Sequence, residues 1–204
     1  MMRTLVLASG AGTNFQAVLS GISAGKITNC SICKLIVDRP ETGAARIASG
    51  AGIPVEMIDS KSFSTRSDFD SALFQSVVQA GPDLILALGF MKVLAKPLVE
   101  AFPNRIINIH PSLLPAFPGL HAVKQAIDYG ARVSGVTVHF VDSNVDTGPI
   151  IAQESLPIPE GSTPESLHQL IRKVEHSILI DVVNLVCNGQ ISVDGRRVFR
   201  HSKE

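Results

Sequence analysis

Five consecutive apolar residues, Leu84-Ile85-Leu86-Ala87-Leu88, constrain this chain more than any other segment. A run so short and so uniformly apolar suits a strand covered on both faces, the condition inside a parallel sheet flanked by helices. The pattern around it repeats. Residues 4–8, 32–37, 54–58 and 83–88 read as strands, and residues 14–24, 41–51 and 67–80 as the helices between them. The alternation predicts an α/β fold with a doubly wound, mostly parallel sheet. Past Pro111 the character changes. A helix is expected from Gly119 to Tyr129, then strands over 135–141 and 149–156, the first alternating as a strand with unlike faces does. These form an antiparallel C-terminal extension. A long helix opens at Ser162-Thr163-Pro164-Glu165 with a capping box or a proline near its first position, and turns Leu167, Leu170, Ile171, Val174, Ile178, Val182 and Leu185 to the core.

With 204 residues, 45% of them apolar, one core is the natural outcome, so a single domain over 1–204 is expected. Eighteen Lys and Arg against eighteen Asp and Glu leave no net field to favour nucleic acid or an anionic membrane. No apolar stretch approaches the roughly 20 residues of a membrane-crossing helix. An odd count of three cysteines argues for a reducing compartment, with cytoplasm the default. Cys30 and Cys33 have C-x-x-C spacing but lack the two further ligands of a structural zinc site, so no metal is expected.

Ligands of open α/β sheets bind beyond the carboxyl ends of the strands, which singles out residues 10–14, 89–94 and 108–115. Ser9-Gly10-Ala11-Gly12-Thr13-Asn14 opens a helix and offers backbone N–H groups to an anion, although tight strand-to-helix turns use glycine as well. Asn108 and His110, two apart on a strand, share a face. An amide and an imidazole there can bond an oxygen that gains charge as a carbonyl is attacked; equally, Asn108 can end the strand and His110 be a satisfied buried histidine. Asp142 and Asp146 bracket a loop in which one carboxylate can polarise an imidazole, or each can cap its own backbone. Pro111, Pro115 and Pro118 make the intervening loop rigid.

Asn108-Ile109-His110-Pro111-Ser112-Leu113-Leu114-Pro115, followed by Phe117-Pro118-Gly119, resembles the signature of the glycinamide ribonucleotide formyltransferase family. Gly135-Val136-Thr137-Val138-His139-Phe140-Val141 and Asp146-Thr147-Gly148-Pro149-Ile150 resemble its companion segment, and the likeness runs through nearly the whole chain. The resemblance implies the formyltransferase fold, with a nucleotide-binding half over about 1–107 and a catalytic and folate-site half over about 108–204. It implies a catalytic set of Asn108, His110 and Asp146. Gly12, Thr13, Asn14 and Glu175 match substrate-binding positions. Arg66, Met91, Lys92, Val93, Leu94, Asn108 and Asp142 match positions of the folate site, with Lys92 standing where family members often carry Arg.

The implied reaction is direct transfer of the formyl group of 10-formyltetrahydrofolate to the amine of glycinamide ribonucleotide, in purine synthesis, without a metal or a covalent enzyme intermediate. The rivals are a formyltetrahydrofolate deformylase, a formyltransferase for another amine, and a silent folate- or nucleotide-binding module. Additional regulatory or tRNA-binding domains, usual in related formyltransferases, are not expected in a chain of this length. Small molecules are the expected partners, and the protein is expected to be a monomer or a homodimer.

Overall fold

The apolar runs become the centre of one sheet. In the computed structural model, which describes residues 1–201, strands β1 (Met2–Ala8), β2 (Cys30–Val37), β3 (Val55–Met57), β4 (Leu84–Ala87), β5 (Ile106–His110), β6 (Val133–Phe140) and β7 (Ile150–Pro157) form one seven-stranded sheet in the order β3-β2-β1-β4-β5-β6-β7. The first five strands run parallel, whereas β6 and β7 pair antiparallel. A small separate sheet pairs β8 (Ile191–Asp194) with β9 (Arg197–Arg200). The fold is thus α/β with a mostly parallel sheet and antiparallel additions.

Strand alternation sorts the apolar side chains into two cores. Val6, Ala8, Leu84, Leu86, Ile107 and Ile109 face one cluster, which the helices α1 (Thr13–Ser23), α2 (Gly43–Gly50) and α6 (Pro164–Cys187) cover. Leu5, Leu7, Ile85, Ala87 and Ile106 face the other, under α3 (Arg66–Ala80) and α4 (Lys96–Ala101). Each fully buried aliphatic side chain contributes about 1.5–3 kcal/mol over its exposed state. The parity fixes the site. If Ile107 and Ile109 face the first core, Asn108 and His110 must face the same way as Ile106.

Local chemistry sets the helix ends. The side chains of Thr42, Thr65 and Thr163 accept from the third residues of α2, α3 and α6, and Thr163 with Ser166 completes a reciprocal capping box. Helix α5 (Ala122–Tyr129) ends on Gly130 in the left-handed conformation. No helix among the described residues is long and apolar enough to cross a membrane.

Four features depart from the sequence reading. Helix α4 was not expected; its Pro97 occupies the first turn, where no hydrogen bond is lost. The β8–β9 hairpin was not anticipated as a separate sheet. Strand β6 is buried from Ser134 to Phe140 on both faces, since α6 packs on one and the turn at Ser112 and Leu114 bonds Thr137 on the other. On α6, Leu170 is exposed while Glu175 is buried.

Candidate active site

The sheet order reverses direction between β1 and β4, the switch point at which open α/β sheets leave a crevice. The two loops leaving these strands are tied together there. Ser9 Oγ accepts from the Met91 amide at 2.8 Å, and the Ser9 amide donates to the Gly89 carbonyl at 3.2 Å. One strand further along, β5 ends in Asn108 and His110, and its antiparallel partner sets His139 opposite Asn108 and Thr137 opposite His110. Four polar side chains therefore share the face that carries Ile106.

Asp146 joins them from the loop between β6 and β7. Its Oδ2 lies 3.3 Å from His110 Nδ1 and accepts the Gly119 amide at 2.7 Å. Its Oδ1 lies 3.5 Å from Asn108 Nδ2 and 3.6 Å from His139 Nε2. The loop reaches this point through a left-handed Asp146 (φ 56°) and through Gly148, where a Cβ would stand 1.8 Å from the Phe140 carbonyl oxygen. Burial by itself would raise the Asp146 carboxyl. The His139 ring, the Gly119 amide and the His110 ring outweigh that and hold it below the usual carboxylate range.

Both donors have one firm bond and one long one. His110 Nε2 lies 2.8 Å from the Phe117 carbonyl, which can only accept, so that nitrogen carries hydrogen and anchors the ring. Asn108 Nδ2 lies 3.2 Å from His139 Nε2. The other ring nitrogen of His110 and the amide nitrogen of Asn108 lie toward Asp146 over the longer contacts of 3.3 and 3.5 Å. This arrangement presents two donors and a carboxylate to one small volume, which suits an oxygen that becomes negative during reaction.

The loop at Gly12, Thr13 and Asn14 begins α1. Gly12 is left-handed at φ 78°, with Ala44 packed where its Cβ would go. Neither Thr13 nor Asn14 caps the helix: Gly12 holds the cap position and no side chain bonds there. Asn14 Nδ2 instead donates to Glu175 Oε2 at 3.4 Å, across the chain from α6. Asn14 Oδ1 is buried without a partner. Burial pushes the Glu175 carboxyl up, and the Asn14 amide and Arg172 offset this only in part.

The residues matched to a folate site form a looser group. Arg66 opens α3, pairs with Asp70 at 2.8 Å and donates to the Val93 carbonyl, so it does meet the segment after β4. Within that segment Met91 and Val93 are 55% and 57% exposed, Lys92 is intermediate and Leu94 is buried. Asp142 accepts from the Asn144 amide and the Thr147 hydroxyl at 3.1 and 2.7 Å, and so caps its own loop.

His139 escaped the sequence reading. The signal was a histidine in a mostly apolar strand, but its meaning depends on the β5–β6 register, which no local pattern fixes. Cys30 and Cys33 do not converge. Three residues apart on a strand, they turn to opposite cores, and Cys30 packs beside Thr4 in the core that also holds Cys187. Among the described residues, no group of three or more His, Cys, Asp or Glu side chains is arranged to hold a metal ion.

Residues 2–183 match the model of the formyl transferase family. The phosphoribosylglycinamide formyltransferase of Bacillus subtilis is 39% identical over 86% of this chain and 90% of its own length. The trifunctional purine biosynthetic protein adenosine-3 of Gallus gallus is also 39% identical, over 94% of this chain, which spans only 19% of that longer protein. The glycinamide ribonucleotide transformylase 1 of Symbiobacterium toebii superposes with a TM-score of 0.95 at 42% identity, over 99% of this chain and 95% of its own. A formyltetrahydrofolate deformylase from Pseudomonas syringae shares the fold, with a TM-score of 0.91 over 98% of this chain and 66% of its own, at only 21% identity.

Proposed function

The chain belongs to the formyl transferase family, and from that premise we propose that it moves the formyl group of 10-formyltetrahydrofolate onto the amine of glycinamide ribonucleotide, a step of purine synthesis. The observation that carries the reading is the convergence of an amide, an imidazole and a carboxylate at the ends of β5 and β6. Formyl transfer to an amine needs that set: donors for a developing oxyanion and a group that handles the proton the amine sheds.

In this reading the amine nitrogen bonds to the formyl carbon while the carbonyl oxygen takes up negative charge. Asn108 and His110 donate their long-contact hydrogens to that oxygen. Asp146 keeps His110 oriented, and takes part in moving the proton from the amine to the folate nitrogen as the old carbon–nitrogen bond breaks. No step requires a metal or a covalent enzyme intermediate.

Two features of the chain fit the two substrates. The orphaned Asn14 Oδ1 and the half-satisfied Glu175 suit the donors of a sugar and amine, and the helix start at Gly12, Thr13 and Asn14 suits the phosphate. Exposed Met91 and Val93 with Lys92, Leu94, Arg66 and Asp142 suit a flat ring with a charged tail. Residues 1–107 thus supply the phosphate side and most of the candidate folate contacts, whereas the later half supplies the catalytic set, Asp142 and Glu175. The reading extends to a cytoplasmic enzyme with small-molecule partners.

The test is a spectroscopic assay of the folate product with and without glycinamide ribonucleotide, with the formylated product weighed by mass spectrometry. Acceptor-dependent transfer supports the proposal. Formate released without acceptor identifies a deformylase, and binding without turnover identifies a silent module.

A further inference from the structure

We propose that Gln125 is a positioning residue, which grips the loop ahead of α5 and so keeps the Gly119 amide fixed on the Asp146 carboxylate. This deepens the formyl-transfer reading and rests on it. The contacts of Asp146 are unequal: the Gly119 nitrogen lies 2.7 Å from Oδ2, whereas His110, Asn108 and His139 stand at 3.3, 3.5 and 3.6 Å. A backbone donor at 2.7 Å holds a carboxylate more firmly than contacts beyond 3.2 Å. The direction in which Asp146 faces its neighbours therefore rests first on one backbone N–H, and on whatever keeps that N–H still.

The loop does not follow its path by local preference. Phe117, Gly119 and His121 all have left-handed backbone, at φ 53°, 77° and 62°, and two of the three are not glycine. Such a path persists only where neighbours impose it. Gln125 is one turn inside α5, and its Nε2 donates to the Pro118 carbonyl at 3.2 Å and to the Leu120 carbonyl at 2.8 Å. Both partners can only accept, so the amide must present its nitrogen there, with both hydrogens in use.

The Pro118 carbonyl and the Gly119 N–H are two ends of one peptide group. That group is planar and trans, so its oxygen and hydrogen point in opposite directions. Gln125 takes the oxygen and Asp146 the hydrogen, and a rotation of the plane breaks both bonds together. The two bonds also reinforce each other, because a bonded carbonyl polarises the N–H behind it. Tyr129, four residues after Gln125 and on the same face of α5, packs edge-on against Phe117 with ring centroids 5.8 Å apart. The Phe117 carbonyl in turn lies 2.8 Å from His110 Nε2, so the same grip reaches a second member of the site. Gln125 touches none of the reacting groups in this scheme.

Two substitutions separate this role from loop packing. Gln125→Met keeps an unbranched side chain of the same length and loses both donors, whereas Gln125→Lys keeps donors on a stem one atom longer. In steady-state assays with 10-formyltetrahydrofolate and glycinamide ribonucleotide, Gln125→Met is expected to lose about 10–100-fold in kcat with both KM values near wild type. Gln125→Lys is expected to recover most of that loss. Equal loss in both variants, or a change confined to KM, overturns the proposal.

Amide spectra test the grip without turnover. In the wild-type protein at neutral pH, both Gln125 side-chain hydrogens are expected to exchange with solvent more slowly than those of the exposed Gln169. The Gly119 proton is expected to resonate downfield, as a donor to a carboxylate does. In Gln125→Met that proton should move upfield and exchange about 10-fold faster. A Gly119 signal that the substitution leaves unchanged overturns the proposal, as does fast exchange at Gln125 in the wild type. If the wild type forms no formylated acceptor, the functional reading falls by itself, while these signals still decide whether Gln125 holds Gly119.

Discussion

Asp146 and Glu175 are the same chemical group in two kinds of surroundings. Both are largely withdrawn from water, yet their acidities move in opposite directions. Two histidine rings and a backbone amide surround Asp146, so its partners are built into the fold. Glu175 has a single amide at 3.4 Å, and the oxygen of that amide is itself unpartnered. The Asp146 carboxylate is complete as folded, whereas that of Glu175 is left wanting. A protein tolerates such a deficit where something outside the chain makes it good.

The largest effect should come from breaking the completed side. Asp146→Asn places an amide between two buried histidines and is expected to lower kcat by about 10³–10⁴-fold. A loss confined to KM would show instead that Asp146 holds substrate. Next, Asn108→Ala removes one donor, and a fall of about 10²–10³-fold in kcat is expected, read in the same assay. Smaller again is Glu175→Gln, on the incomplete side. Removing one charge-assisted bond is expected to raise KM for glycinamide ribonucleotide by about 10–100-fold, with kcat much less altered. If kcat falls and KM stays, the contrast between the two carboxylates is wrong.

The mildest test compares stability against pH, and here the signs are opposite. The folded-state pKa of Asp146 lies below its unfolded value, so its contribution is present above the unfolded pKa and is lost as pH falls through the folded one. Wild type and Asp146→Asn should therefore converge in thermal stability toward acid. Glu175 is shifted up, so its contribution is full below the unfolded pKa and fades as pH rises through the folded one. Melting curves of Glu175→Gln should lack that fall. Parallel curves for wild type and both variants would erase the comparison.

The sheet was legible because β1, β2 and β4 are short apolar runs that admit few other readings. Asn108, His110 and Asp146 were legible through a motif. What escaped was whatever depends on a distant strand or helix. His139 acquires meaning only when β6 lies against β5 in one register. Glu175 entered only through resemblance, although it lies between Ile171 and Ile178, at steps of four and three, on the buried stripe of α6. The apolar stripe was right at Leu167, Ile171, Ile178 and Val182, but a pattern of apolar residues passes over a carboxylate in their midst. The placement of Asn14 was lost for the same reason, since its partner is on the far side of the sequence.

That partnership, 161 residues long, also governs when the molecule can first work. A ribosome delivers Asn14 161 residues ahead of Glu175. Closing so wide a loop contributes little extra entropy cost per added residue, but it cannot happen before the closing residue exists. A nascent chain stopped short of α6 can already carry Asn108, His110 and Asp146 and still have no finished place for the acceptor amine. Under the proposed function, competence therefore waits for α6, and a fragment interrupted before it would have nothing with which to draw on the cell's one-carbon supply.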